Sequence, residues 1–189
     1  ITQYVLGRQL IRIESTVPLS REHRNAVLAA EGQLMGLGIV EQAETTVTVR
    51  CSVAPEDFNL PTLLGRLSRT EAMLRSEAVT ALIEGDVEAA TRLSDRSEQV
   101  EKLFYLFLRL VFATYRNPRL NSAVGLETGF PLIGYRSVAQ DIVLMSDAAV
   151  EIATLVGETD GTAPDEATAS KLRTRDEALD SAARATRTA

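Results

Sequence analysis

Residues 135–156 read YRSVAQDIVLMSDAAVEIATLV. Within them Tyr135, Val138, Ile142, Met145, Ala149, Ile152 and Val156 recur at steps of three and four. That period matches one face of an α-helix and not a strand, so the stretch predicts a long helix with a single apolar seam. Working back along the chain, Leu60, Leu64, Leu67, Leu74, Ala78 and Ala81 follow the same rule, with Glu71 as the one polar interruption. Gly85 is placed to end that helix and Asp86 to cap the next. The helix between them spans about Val87 to Arg116, apolar on most sides from Leu103 to Phe112. Its polar stripe is Glu98, Lys102, Tyr105, Arg109 and Arg116. Asn117-Pro118 stops it, since proline lacks the amide a continuing helix needs. A loop through Gly125 and Gly129 then leads to Pro131. Three long helices with one seam each predict an antiparallel three-helix bundle.

The first 54 residues have a different texture. Ile1 to Leu6 reads as the tail of a helix with Gly7 at its left-handed cap, and Leu10, Ile11 and Ile13 form a short strand-like run. Ser20 can cap a helix through Val27, Ala30 and Leu34 that ends at Gly36 and Gly38. Val47, Val49, Cys51 and Val53 then alternate with Thr46, Thr48, Arg50 and Ser52, the clearest strand signal present. Ile39 to Gln42 is expected to pair with that strand through a turn at Ala43 and Glu44. The fold class is therefore mainly α, with a small α/β subdomain ahead of the bundle. The expected boundaries are 1–54 for the subdomain, 55–157 for the three helices, 158–170 for an acidic small-residue linker and 171–189 for a partial helix. The thin stripe Leu172, Ala178, Leu179, Ala182 leaves that last segment either docked on the bundle or awaiting partners further along.

Composition restricts the chemistry. Of 189 residues, 45% are hydrophobic, and 20 Lys plus Arg face 26 Asp plus Glu for a net charge of −6. With a pI near 5.0, this region is not expected to bind nucleic acid directly. Only Lys102 and Lys171 are lysines, so arginine carries nearly all the positive charge. Cys51 is the lone cysteine and His23 the lone histidine, which removes disulfides, zinc sites of the Cys- and His-ligated kinds, and a Ser-His-Asp triad of any support. Any metal would have to be held by carboxylates. The longest apolar run, Leu103 to Tyr115, is interrupted by Arg109 and is too short for a bilayer, and no signal peptide is read at the start. A cytoplasmic protein without membrane insertion is expected. The chain opens on Ile1 rather than Met, so residues upstream are expected too.

Several segments together resemble the PhoU-like phosphate uptake regulators, in particular the archaeal type. They are Ala81-Leu82-Ile83-Glu84-Gly85-Asp86, Val100-Glu101-Lys102-Leu103-Phe104-Tyr105, Arg116-Asn117-Pro118-Arg119-Leu120 and Tyr135-Arg136-Ser137-Val138-Ala139-Gln140. In the α/β part, Tyr4-Val5-Leu6-Gly7, Ile11-Arg12-Ile13 and Gly36-Leu37-Gly38-Ile39-Val40-Glu41 extend the likeness. The resemblance implies a non-catalytic regulator of phosphate uptake and phosphate-starvation signalling. Its implied partners are the phosphate ABC transporter ATPase or a signalling protein, and a second copy in a homodimer. It also implies that the bundle is the first of two repeats. The alternative function is the sensing or dimerisation region of an AbrB-PhoU transcription regulator whose DNA-binding domain lies upstream.

The same resemblance implies a metal chemistry, because family members carry acidic motifs on the second and third helices that hold iron or zinc clusters. Carboxylates at i and i+4 share a helix face, and two such faces can surround hard cations with oxygen. Here the first acid of each motif is replaced. On the second helix Ser97 stands ahead of Glu101, and on the third Val143 stands ahead of Asp147, with Ala148 where a histidine often follows. Glu101 and Asp147 are the remaining candidate ligands, and losing half of the carboxylates predicts that iron or zinc binding is weak or lost. Their plainer reading is as solvated acids facing arginines.

Other residues read structurally. Glu151, four residues after Asp147, takes a position where relatives often carry Arg. His23 is expected exposed in a first helical turn, and Cys51 in the core. Phe104, Tyr105, Phe107, Phe112 and Tyr115 are expected in the core, with Tyr105 and Tyr115 able to reach a partner. Arg109, inside the apolar run, needs an acid such as Asp141 or Glu71, or a route to water. A carboxylate-bridged metalloenzyme ranks last among the functions, since it needs Glu-x-x-His pairs.

Overall fold

The computed structural model describes residues 1–126 and 132–188. Its elements are α1 (Thr2–Val5), β1 (Leu10–Glu14), α2 (Arg21–Gln33), β2 (Leu37–Gln42), β3 (Thr46–Cys51), α3 (Leu60–Glu84), α4 (Val87–Arg116), α5 (Leu132–Glu158) and α6 (Glu166–Thr188). Two single 3-10 turns, Pro55–Asp57 and Pro118–Leu120, interrupt the connections. The order is that of a small sheet followed by a helical bundle, as the sequence predicts. Gly129 and Pro131, expected in the loop before α5, lie outside the described residues.

The chain divides into two compact units, Ile1–Leu63 with Lys102–Arg136, and Leu64–Glu101 with Ser137–Ala189. In the first unit, β3 is the central strand of the order β1-β3-β2, antiparallel to both neighbours. Val47, Val49 and Cys51 are buried on one side of it. Thr48, expected to face out, is also buried, and its hydroxyl donates to the Glu41 carboxylate at 3.3 Å. A central strand is flanked by backbone on both edges, so even its polar side can lose water. Ser20 caps α2 by accepting from the His23 amide at 3.2 Å, and Gly7 ends α1 at φ +81°. In the same unit Phe107 is fully buried and stacks with Tyr135, ring centroids 6.3 Å apart. Tyr115, by contrast, is 74% exposed.

Among the described residues, the elements of the second unit are all helices. α3 ends in the left-handed Gly85 (φ +68°), with the Asp86 amide donating to the Ala81 carbonyl at 2.9 Å. The Asp86 carboxylate then accepts from the Ala89 amide at 2.9 Å and starts α4. On α5 the seam differs from the expected one. Ala139, Ile142, Ser146, Ala149, Ala153 and Val156 are the buried residues, whereas Val138 is 48% exposed and Met145 and Ile152 are half-buried. Both stripes share Ile142, Ala149 and Val156. The structure selects the stripe with smaller side chains, which lets a neighbour approach closely and sets the larger residues to the sides. On α3, likewise, Leu67, Leu74, Ala78 and Ala81 are buried as expected. Nearer its start, and in the first unit, Leu63 is buried; Leu64 is only half-buried.

The C-terminal part corrects the expected organisation. α5 includes Glu158 and α6 begins at Glu166, so the connection is Thr159 to Asp165 rather than 158–170. Asp165 caps α6 by accepting from the Thr168 amide at 2.8 Å. α6 is docked on α3 within this unit through ion pairs described below.

Candidate functional site

The candidate metal residues lie on the expected helices. On α4, Ser97 and Glu101 are half-buried. On α5, Val143 is half-buried, while Asp147, Ala148 and Glu151 are exposed. Each helix therefore offers one acid at its motif position. Among the described residues no group of three or more His, Cys, Asp or Glu side chains is gathered closely enough to hold a metal ion.

The strongest polar constellation is instead on α3 and α6. Arg75 is 6% exposed and Glu71, one turn earlier, is 2% exposed. Arg75 Nε donates to Glu71 Oε1 at 3.0 Å, and Nη2 donates to Asp180 Oδ1 at 2.7 Å. Nη1 pairs with the Asp176 carboxylate and lies 3.4 Å from the Asp176 carbonyl oxygen. One guanidinium thus faces three carboxylates, a use of its planar fork of donors that lysine could not reproduce. Arg184 stands 3.8 Å from Asp180 at the outer side and adds a second positive charge. Burial raises the Glu71 pKa above its ordinary 4.5, against the opposing pull of Arg75. In the sequence Glu71 stood out as a polar break in the α3 seam and as a possible partner for Arg109, not as a partner of Arg75. The signal that would have revealed the cluster is paired spacing: Glu71 and Arg75 are four apart, as are Asp176 and Asp180.

Arg109 has a different solution from the acidic partner expected for it. Glu71 is committed to Arg75, and Arg109 instead serves backbone carbonyls in the first unit. Its Nη1 donates to the Tyr4 carbonyl at 2.7 Å and to the Arg8 carbonyl at 3.1 Å. The guanidinium carbon sits 4.9 Å from the Tyr4 ring centroid, a cation–π contact. Arg116, seven residues on, donates to the Leu6 carbonyl at 2.8 Å. Two arginines of α4 therefore satisfy carbonyls at the C-terminal end of α1, where a partial negative charge accumulates. Tyr4 is fully buried, and its hydroxyl donates to the Met35 carbonyl at 2.9 Å. Burial first, then the nearby Cys51, pushes the Tyr4 pKa up, with Arg109 opposing, so the phenol stays protonated as that donor.

These elements define a class: a mainly helical chain that carries a helical bundle and a three-stranded antiparallel sheet. Residues 65–156 match the PhoU domain model. Over those residues, just under half of the chain, the protein is similar to PhoU-like proteins. The matched span runs from early α3 to the last turns of α5 and leaves the sheet subdomain and α6 outside it. No curated protein and no solved structure matches the chain. Among the described residues no helix is long and apolar enough to cross a membrane.

Proposed function

We propose that this chain is a non-catalytic, cytoplasmic regulator of phosphate uptake and phosphate-starvation signalling, acting by contact with the phosphate ABC transporter ATPase or a signalling partner. The observation that carries the reading is the PhoU domain over residues 65–156, since that family is associated with phosphate uptake regulation. Burial supports a contact role. The buried arginines are engaged with helix carboxylates and carbonyls, while Leu144 and Leu155 on α5 are 57% and 49% exposed and available to another protein surface. A homodimer, and operation without bound iron or zinc, belong to the same reading. The test is deletion of the gene in its own host, with phosphate uptake and alkaline phosphatase activity followed from phosphate-limited to replete medium. Misregulated uptake at high phosphate is the expected outcome. Unchanged uptake and phosphatase at every phosphate level would overturn the proposal.

A further inference from the structure

α6 is held unlike the other long helices. Its inward positions, Ala169, Leu172, Asp176 and Asp180, follow steps of three and four, so they form one seam. Of these, only Ala169 is deeply buried, and at Asp176 and Asp180 the seam carries carboxylates where a core helix would place leucine or valine, ahead of the half-buried Ala183. Leu179, the largest apolar side chain of that half, is 45% exposed. Among the described side chains, the ion pairs that tie this half to α3 converge on Arg75, which receives Asp176 and Asp180. At its other end the helix is anchored independently. Asp165 caps it, and the preceding turn is fixed by Gly161 (φ +70°) against Gly85. A helix with a fixed base, its own cap and little apolar contact can swing out without unfolding its neighbours, because little hydrophobic area opposes the motion.

We propose that α6 is a releasable strap, latched by Asp176 and Asp180 onto Arg75, which opens about the Thr159–Asp165 turn and uncovers the α3 face bearing Glu71 and Arg75. Ion pairs with a half-exposed member such as Asp180 are open to competition from solvent and from other carboxylates in a way an apolar seam is not. The strap is independent of the phosphate reading, since it rests on α3 and α6 alone.

Native-state hydrogen exchange on the whole chain tests it. Backbone amides of residues 172–184 are compared with those of Val100 on α4 and Ala149 on α5. In the wild type, α6 amides should exchange by local opening, about tenfold or more faster than the two buried references. The double variant Asp176→Asn/Asp180→Asn should lower α6 protection by about another tenfold, leaving the references within about twofold. Arg75→Gln should reproduce the α6 effect, and the α6 variant controls for any general loss of stability that Arg75→Gln brings. Equal protection of α6 and the references in the wild type overturns the strap, as does loss in step with them or no response to the double variant.

Discussion

Gly85 and Gly161 meet backbone to backbone, each in the left-handed region, with φ +68° and +70°. A Cβ built on Gly85 would fall on the Gly161 carbonyl, and one on Gly161 would lie 2.5 Å from the Gly85 carbonyl oxygen. The C-terminal cap of α3 and the turn after α5 are thereby closed on one another within the helical unit. Gly85→Ala should destabilise by more than about 2 kcal/mol, from strain at positive φ plus the clash. Gly157→Ala is the control, because nothing lies within 4 Å of its added Cβ and the residue is helical. It should be neutral or slightly stabilising. Urea denaturation of both variants checks the contrast, and equal midpoints for the two would refute it.

The Arg75 cluster predicts unequal consequences for its two α3 members. Arg75→Met leaves Glu71, Asp176 and Asp180 without the cation they share and should cost about 3–5 kcal/mol. Glu71→Gln keeps an acceptor for Arg75, which retains two aspartates, so it should change stability by less than about 1 kcal/mol at pH 7. The pH dependence has a definite sign. Because burial raises the folded-state pKa of Glu71 above 4.5, the native state binds more protons than the unfolded chain between 4.5 and that raised value. Glu71 therefore makes stability fall as pH rises through this window, and Glu71→Gln should remove that component. Denaturation midpoints from pH 4 to 7 measure it, and parallel profiles for wild type and Glu71→Gln would contradict the assignment.

Much of the fold was legible because it depends on local signals. Ser20, Gly7, Gly85, Asp86 and Asn117-Pro118 mark helix boundaries through backbone chemistry that neighbours cannot easily override. What was not legible depended on pairing at long range. The α5 period allowed two adjacent stripes through Ile142, Ala149 and Val156, and periodicity alone cannot say which one a neighbour approaches. Arg75 and Asp180 are 105 positions apart, so nothing local joins them, though each has an acid or base one turn away. Arg109 was sent to the wrong kind of partner because carbonyls at the end of a four-residue helix carry no side-chain signature. Glu101 and Asp147 were placed on their helices correctly, yet their surroundings followed from tertiary packing.

Arg109 and Tyr4 should be coupled in stability. Arg109→Met removes a donor from the Tyr4 and Arg8 carbonyls and a cation from the Tyr4 ring, at a cost of about 2–3 kcal/mol. Tyr4→Phe keeps the ring beside the guanidinium and removes the phenol donor from the Met35 carbonyl, which keeps only the weak Cys51 Sγ contact at 4.0 Å, at about 1 kcal/mol. Arg109→Lys should recover little, because its shorter side chain stops short of the Nη1 position that serves both carbonyls, and a strongly hydrated ammonium is the costlier charge to bury there. The expected order of urea midpoints is wild type, Tyr4→Phe, then Arg109→Lys and Arg109→Met together. Full recovery by lysine would show that charge alone, and not the guanidinium plane, is what the site uses.

The gapped acidic motifs give a prediction about metal that can be checked without reference to any partner. Hard cations need several oxygen ligands to offset their lost hydration, and Glu101 and Asp147 supply one carboxylate per helix where Ser97 and Val143 supply none. Protein purified without chelator should therefore contain iron and zinc well below one atom per chain. Restoring both positions in Ser97→Asp/Val143→Glu adds two carboxylates to the same helix faces, at the cost of placing charge at half-buried positions. That variant should be destabilised when metal-free and recover on adding ferrous iron or zinc, because binding only the folded state raises the apparent stability. Elemental analysis together with thermal melts with and without metal reads both effects. Stoichiometric metal in the wild type would show that the two surviving acids suffice, and a double variant indifferent to metal would show that these faces do not converge on a common ion.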